Sequence, residues 1–211
     1  MPRLTAKTLF TEAERQRIEA AVRTVEARTS GEIVPMVVDE SYDYPRAEII
    51  GSGFFSLATA VFASWAFGHS SVWIFLPLFL LLYFPFKFLI RSLPNLKRRL
   101  IHPDEISAEV EEKAMVSFIE QGLHHTRDKT GILILISLFE HRVFVLADQG
   151  INDRVTKATW DEIVRMVTEG IRSGRTADAL CAAVARCGEL LEQHFPVKKG
   201  DTDELPNLIV G

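Results

Sequence analysis

Residues 49–86 read IIGSGFFSLATAVFASWAFGHSSVWIFLPLFLLLYFPF and contain no Asp, Glu, Lys or Arg. The hydrocarbon core of a bilayer, about 30 Å thick, is crossed by a helix of about 20 apolar residues. Residues 49–67 and 72–90 supply two such runs, and the sequence GHSS at 68–71 separates them. We therefore predict a transmembrane helical hairpin over residues 49–90. The alternative is a buried hairpin of a soluble protein, but 38 consecutive uncharged residues are too many for a domain of this size to enclose.

The rest of the chain has the composition of a soluble domain. Its 24 basic and 28 acidic residues all lie among the 173 positions outside the uncharged block (211 − 38), so the 47% hydrophobic content is an average over two environments. A net charge of −4 argues against a nucleic-acid-binding protein. Two cysteines exclude a disulfide scaffold and a Cys-based zinc module.

Basic residues flank the predicted hairpin at its outer ends and are absent from its turn. Arg46 precedes it, Lys87 lies near its carboxyl end, and Arg91, Lys97, Arg98 and Arg99 follow it. Because Lys and Arg are retained on the cytoplasmic side of a membrane, both flanks are expected in the cytoplasm. The sequence thus predicts a two-helix protein of the plasma membrane with both termini cytoplasmic.

Small residues recur along the first predicted span. Gly53, Ser56, Ala60 and Ser64 fall close to one helical face, and small residues let helix backbones approach closely in lipid. Two interpretations remain open, packing inside the hairpin and an interface between copies of the chain.

The charged parts of the chain alternate between helical and strand patterns. The predicted helices are 10–28, 104–127, 159–173 and 176–195, and the predicted strands are 32–39, 132–138 and 142–147, with a turn at 148–150. This alternation indicates a three-layer α/β domain. We predict one such domain in two pieces, 1–48 and 91–195, split by the hairpin at 49–90 and followed by a flexible tail at 196–211.

Carboxylates are the best candidates for a functional site. If strands 32–39 and 132–138 are parallel and the tight 139–141 connection makes 142–147 antiparallel, Glu32 and Asp148 share one edge of the sheet. Asn152 and Asp153 follow shortly after, and oxygen ligands of this kind suit Ca²⁺ or Mg²⁺. The alternative is that Asp148 caps a turn while Glu32 pairs with a basic residue such as Arg142 or Arg154. No nucleophile elbow or phosphate-binding loop is present, so no catalytic residue is assigned.

Three segments occur in a characteristic order. They are Thr29-Ser-Gly-Glu32-Ile-Val after a helix, Gly131-Ile-Leu-Ile-Leu-Ile-Ser, and His141-Arg-Val-Phe-Val-Leu-Ala-Asp-Gln-Gly150-Ile. Together they resemble the TPM domain family. The resemblance covers residues 10–40 and 104–195, and the helices after Thr159 match the family's closing pair. It implies an αβα sandwich. Some family members bind calcium or have weak acid phosphatase activity, and others act in photosystem II repair or as receptor accessory proteins.

Two function classes follow for this chain. We expect a membrane-anchored member of the family, whose domain binds, assembles or regulates other membrane proteins, with the lipid bilayer and another membrane protein or a second copy as partners. The alternative is a Ca²⁺- or Mg²⁺-dependent phosphatase. A transporter is disfavoured because neither predicted span carries an ionisable residue that would line a pathway.

Overall fold

The computed structural model describes residues 5–68, 71–126, 129–196 and 205–211. In chain order, its elements are α1 (Ala6–Leu9), α2 (Glu12–Glu26), β1 (Glu32–Val38), α3 (Pro45–Ala66), α4 (Val72–Ser92), α5 (Pro94–Arg99), α6 (Pro103–Glu120), a 3-10 turn (Leu123–His125), β2 (Gly131–Ser137), β3 (Arg142–Ala147), α7 (Gln149–Asn152), α8 (Lys157–Arg172), α9 (Thr176–His194) and β4 (Ile209–Val210).

The chain divides into two compact units. One comprises residues 1–41 and 107–211, and the other comprises residues 42–106. The division places residues 42–48 and 91–106 with the helical hairpin, whereas the sequence patterns assign them to the α/β domain.

The first unit contains a mixed sheet whose described strands run in the order β3-β2-β1-β4. Strands β1 and β2 are parallel over their full length, from Glu32 opposite Gly131 to Val38 opposite Ser137. Strands β2 and β3 are antiparallel. The predicted α/β class and the predicted directions of the three longer strands are therefore confirmed.

Helices pack against both faces of this sheet. Because side chains alternate across a strand, Ile33 and Val37 of β1 point to one face and join apolar residues of α2, α8 and α9. Val34, Met36 and Val38 of β1 point to the other face and join apolar residues of α6. The sheet is thus buried between two apolar clusters, which explains the continuous apolar run of β2.

Several element ends follow from local chemistry. Thr11 caps α2, since its side chain accepts a hydrogen bond from the Glu14 N–H while Thr11 N donates to the Glu14 carboxylate. Helix α6 ends at Glu120, short of the predicted residue 127, because Gly122 takes a left-handed conformation with φ of 76° that stops a helix. The predicted turn at 148–150 is instead the start of α7, which Asp148 caps.

The end of the chain also differs from the prediction of a loose tail. Strand β4 pairs in parallel with β1, with Ile209 opposite Met36 and Val210 opposite Val37. Gly211 N donates a further hydrogen bond of 3.0 Å to the Val37 carbonyl. The prediction of a tail rested on the polar composition of residues 196–204, whereas the strand lies within the apolar sequence Leu208-Ile209-Val210 further along the chain. Residues 197–204 lie outside the described part of the chain.

The second unit is built on the antiparallel packing of α3 and α4. Ser56 and Ala60 of α3 are fully buried, and Phe55 stacks on Phe86 with ring centroids 5.9 Å apart. A Cβ on Gly51 would lie 2.9 Å from the Ile90 side chain of α4. Small residues therefore serve packing within the hairpin at Ser56 and Ala60. Gly53 does not take part, because a Cβ there meets no atom within 4 Å.

An ion pair joins the base of this hairpin to α5. Lys97 Nζ lies 3.0 Å from Glu48 Oε1, and the two side chains are only 9% and 13% exposed. The positive charge of Lys97, one of the basic residues that predict the orientation of the hairpin, is thus balanced within the second unit.

Candidate functional site

The predicted carboxylates lie at the edge where β1 and β2 begin. Glu32 is opposite Gly131 in the β1–β2 pairing, and the Gly131 carbonyl accepts a hydrogen bond of 2.9 Å from Asp148 N. Glu32 and Asp148 therefore flank Gly131 on its two sides, as the strand directions predict. Two strand spacings of about 4.8 Å separate their backbones by about 10 Å.

Asp148 has a capping role at this edge. Its Oδ1 accepts a hydrogen bond of 2.6 Å from Gln149 N at the start of α7. Its Oδ2 is buried and accepts no hydrogen bond from the described residues. One oxygen of this carboxylate is thus committed to the helix cap, and the other is the one that a ligand would contact.

Asn152 and Asp153 are placed differently from each other. Asn152 Nδ2 donates to the Ala147 carbonyl at 2.7 Å, and Asn152 Oδ1 accepts from Trp160 Nε1 at 3.1 Å. The amide therefore ties α7 to the end of β3 and to α8, and its oxygen already has a donor. Asp153 is exposed at the carboxyl end of α7.

These four residues do not form a preassembled cation site. Among residues 5–68, 71–126, 129–196 and 205–211, no group of three or more His, Cys, Asp and Glu side chains is arranged to hold a metal ion. Glu32 and Asp148 are separated by a strand, and Asn152 Oδ1 is engaged by Trp160. Metal binding by Glu32, Asp148, Asn152 and Asp153 stays a prediction.

The two basic residues predicted as alternative partners for Glu32, Arg142 and Arg154, lie at different positions relative to the edge that holds Glu32. Arg142 is opposite Ser137 at the far edge of the sheet. Six residue steps of about 3.4 Å from Arg142 to Asp148 place it about 20 Å from that edge, so Arg142 is the wrong candidate. The Arg154 guanidinium lies 5.2 Å from the centroid of the Phe195 ring and forms a cation–π contact there.

A second polar cluster lies at the opposite edge, where the parallel strands end. Ser41 N donates to Glu140 Oε1 at 2.9 Å, Ser137 Oγ donates to Glu140 Oε2, and the Ser41 and Ser137 hydroxyls are 3.0 Å apart. Glu140 is only 3% exposed. We call Ser41, Ser137 and Glu140 the serine–glutamate cluster.

The serine–glutamate cluster fastens the β2–β3 turn to the segment that leaves β1. Its carboxylate accepts hydrogen bonds on both oxygens, and Ser137 is 1% exposed, so a substrate has no access to that hydroxyl. The chemistry of the cluster is therefore structural. Sequence reasoning passed over it because Glu140 lies in a three-residue turn, although ligand sites in α/β sheets favour the carboxyl ends of strands.

Comparisons with known proteins agree with this fold. The family model of the TPM domain matches residues 98–190, which include β2, β3 and the helices α7 and α8. The NMR structure of BA42 protein from the psychrophilic bacterium Bizionia argentinensis sp. nov. is similar, with a TM-score of 0.57, 22% identity, and coverage of 95% of this chain and 93% of that one. No curated protein matches. Strand β1 and the preceding Thr29–Glu32 segment lie outside the matched range. The predicted resemblance to the TPM domain family is confirmed for residues 98–190.

Proposed function

We propose that this chain is an integral membrane protein whose TPM domain binds and assembles other membrane proteins. The observation that carries the proposal is the exposed apolar surface of α3 and α4. Their most apolar windows have mean hydropathies of 1.5 and 2.0, yet only 22% and 6% of those windows are buried within the protein. Soluble monomers rarely expose apolar patches larger than a few hundred Å². A lipid environment is the solvent that suits this surface.

The lengths of these helices support the same conclusion. At 1.5 Å per residue, the 22 residues of α3 and the 21 residues of α4 extend about 33 Å and about 32 Å. The hydrocarbon core of a bilayer is about 30 Å thick. Trp65 and Trp73 stand exposed on either side of the turn, where aromatic side chains anchor a helix at the membrane surface.

The proposed orientation places both termini in the cytoplasm of a cell whose plasma membrane holds the protein. An even number of spans puts both flanks on one side, and exposed Arg91 and Arg99 add to Arg46 as retained charges. The ion pair with Glu48 balances Lys97, so the remaining arginines carry the orientation signal.

A binding role suits the site geometry better than catalysis does. Ser137 and Glu140 of the serine–glutamate cluster are buried, and the predicted carboxylates are spread over two strands and α7. An assembly module needs only an accessible surface and a location beside its partners.

The experiment is chemical crosslinking in native membranes. Membranes that contain the tagged protein are treated with a lysine-reactive crosslinker, and crosslinked peptides are identified by mass spectrometry. We expect crosslinks from lysines of the α/β unit, such as Lys113 or Lys157, to a recurring membrane protein. Recovery of only intramolecular crosslinks, in membranes where a known complex crosslinks normally, would contradict the assembly role.

A second candidate function, a divalent-cation-dependent phosphatase, is favoured by the buried Oδ2 of Asp148. A cation bound there would take Asp148 as an oxygen ligand and would polarise a phosphate ester. Purified protein would then hydrolyse an activated phosphate ester in the presence of Mg²⁺ or Ca²⁺. The Asp148→Asn variant would lose that activity, whereas the exposed control Asp153→Asn would keep more of it. Equal activity of wild type and Asp148→Asn would identify a contaminant.

A further inference from the structure

Helix α6 has a second apolar surface on the side that points away from the sheet. Val110, Ala114 and Phe118 face the sheet and are buried. On the opposite side, Met115, Val116 and Ile119 are 50%, 42% and 60% exposed. A surface helix of a soluble domain normally has one apolar stripe, facing the core.

Helix α8 provides an internal comparison. It lies on the other side of the same sheet, and its exposed positions include Lys157, Asp161, Arg165 and Glu169. That helix has the charged outer surface expected of a solvated element. The apolar outer surface of α6 is therefore a property of this helix and not of helices in this domain generally.

Carboxylates surround the exposed apolar side chains. Glu111 and Glu112 are exposed one helical turn before Met115 and Val116. Counted from the sequence, α6 carries six acidic residues and one lysine, a net charge of −5, so the remainder of the chain has a net charge of +1 (−4 + 5). We call Glu111, Glu112, Met115, Val116 and Ile119 the outer α6 face.

We propose that the outer α6 face docks a basic amphipathic helix of a partner membrane protein. This proposal rests on the assembly role proposed above and names the partner's chemistry. An amphipathic helix would pack its apolar stripe on Met115, Val116 and Ile119, at the spacing by which helices contact each other. Lysines or arginines beside that stripe would reach Glu111 and Glu112.

Charge excludes two other occupants. The cytoplasmic leaflet of a membrane is anionic, so Glu111 and Glu112 would be repelled from its surface. A second copy docked symmetrically would present the same acidic surface and bring like charges together. A basic helix fits both the apolar stripe and the carboxylates, and membrane proteins carry Lys and Arg beside the cytoplasmic ends of their spans.

The contact area offered by three side chains is small, so the contact depends on colocalisation in the membrane. Two proteins anchored in one bilayer meet at a high effective concentration, which raises the occupancy of a weak site. A probe peptide in solution will therefore bind weakly, and the comparison between variants is the informative quantity.

The test uses the full chain in nanodiscs of phosphatidylcholine, which has no net charge. The probe is a fluorescent 18-residue helical peptide of leucine and lysine, and its control is a peptide of the same pattern with glutamate in place of lysine. Binding is measured by fluorescence anisotropy at low salt. The variants are Met115→Gln/Ile119→Gln and Glu111→Gln/Glu112→Gln, and the matched control is Asp161→Asn/Glu169→Gln on α8.

We expect the leucine–lysine peptide to bind wild type with an affinity at least ten-fold higher than it binds either α6 variant. The α8 control should bind within two-fold of wild type, and the leucine–glutamate peptide should not bind. The changed residues are exposed, and circular dichroism will show that the variants keep the wild-type fold.

Equal binding to wild type and the α6 variants would overturn the proposal, as would no binding to wild type. A Val116→Cys variant that forms a disulfide-linked homodimer within the membrane would also overturn it and assign the face to a second copy. If the wild-type protein forms no crosslinks to another membrane protein in native membranes, the assembly role itself is contradicted. Crosslinks that persist in the α6 variants would retain that role and place its contact elsewhere.

Discussion

Helices α8 and α9 cross closely at Gly170, and this contact yields a quantitative prediction. A Cβ placed on Gly170 would lie 2.1 Å from the Ala179 Cβ and 3.3 Å from the Arg175 carbonyl oxygen. Since carbon atoms pack at about 3.5–4.0 Å, the Gly170→Ala variant must separate the helices by about 1.4 Å or more at this point.

Two energies of opposite sign decide the stability of Gly170→Ala. Overpacking a core contact costs about 1–3 kcal/mol, and a clash of this depth belongs at the upper end. Replacing glycine by alanine within a helix returns about 1 kcal/mol. We therefore expect Gly170→Ala to lower the free energy of unfolding by about 2 kcal/mol.

The matched variant moves the methyl group from one helix to the other. In Gly170→Ala/Ala179→Gly, the new Cβ of residue 170 faces a glycine, so the 2.1 Å contact with the Ala179 Cβ is removed. Ala179→Gly alone should cost about 1 kcal/mol through helix propensity. The sum of the two single effects therefore underestimates the stability of the double variant, by at least about 1 kcal/mol.

The assay is urea unfolding in detergent micelles, followed by the fluorescence of Trp160 in α8. Trp65→Phe and Trp73→Phe remove the other two tryptophans, which lie in the hairpin unit. A Gly170→Ala variant as stable as its parent, or additive effects of the two substitutions, would refute the proposed helix contact.

Three further predictions concern single side chains and their partners. Lys97→Met removes the ion-pair partner of the Glu48 carboxylate and should cost about 3–5 kcal/mol of stability, whereas Glu48→Gln/Lys97→Met should recover most of that loss. Thermal unfolding in detergent measures the stability of both variants. If the two variants are equally unstable, the ion pair is contradicted. Burial raises the pKa of the Cys187 thiol to about 12 from an ordinary value of 9.0. Because the unfolded thiol ionises first, wild type should lose stability relative to Cys187→Ala as pH rises from 9 to 12, and parallel urea midpoints of the two proteins would be the contrary result. Asn152→Ala removes the hydrogen bonds to Ala147 and Trp160 and should cost about 1 kcal/mol, while Asp153→Ala should change stability by less than about 0.5 kcal/mol in the same urea assay.

The sequence was sufficient for the elements whose pattern is local. The uncharged block from 49 to 86 predicts two long apolar helices, and the apolar run at 132–138 predicts a buried central strand. Strand direction also followed, because the short Phe139–His141 connection permits only an antiparallel hairpin. These features depend on side-chain pattern and connection length, which are both visible in one dimension.

The features that the sequence did not predict depend on contacts between distant residues. Strand β4 forms because Ile209 and Val210 meet β1, which lies about 170 positions earlier in the chain. The serine–glutamate cluster joins Ser41 to Glu140 across the whole inserted hairpin. The Glu48–Lys97 ion pair likewise depends on how α5 folds back.

The candidate site likewise has features that the sequence predicts and features that depend on contacts between elements. The shared edge of Glu32 and Asp148 follows from the strand directions, which the sequence predicted. The engagement of Asn152 by Trp160 does not, because it requires the position of α8 relative to α7. A set of carboxylates that share an edge is therefore predictable from sequence, whereas the direction in which each side chain points is not.

Membrane topology is the central claim, and cysteine accessibility tests it most directly. In a Cys181→Ser/Cys187→Ala background, Ser71→Cys marks the hairpin turn and Asp153→Cys marks the α/β unit, both at exposed positions. A membrane-impermeant maleimide should label Ser71→Cys in intact cells and Asp153→Cys only after permeabilisation. Labelling of both cysteines in intact cells would contradict the cytoplasmic assignment, and labelling of neither until permeabilisation would contradict the two-span hairpin.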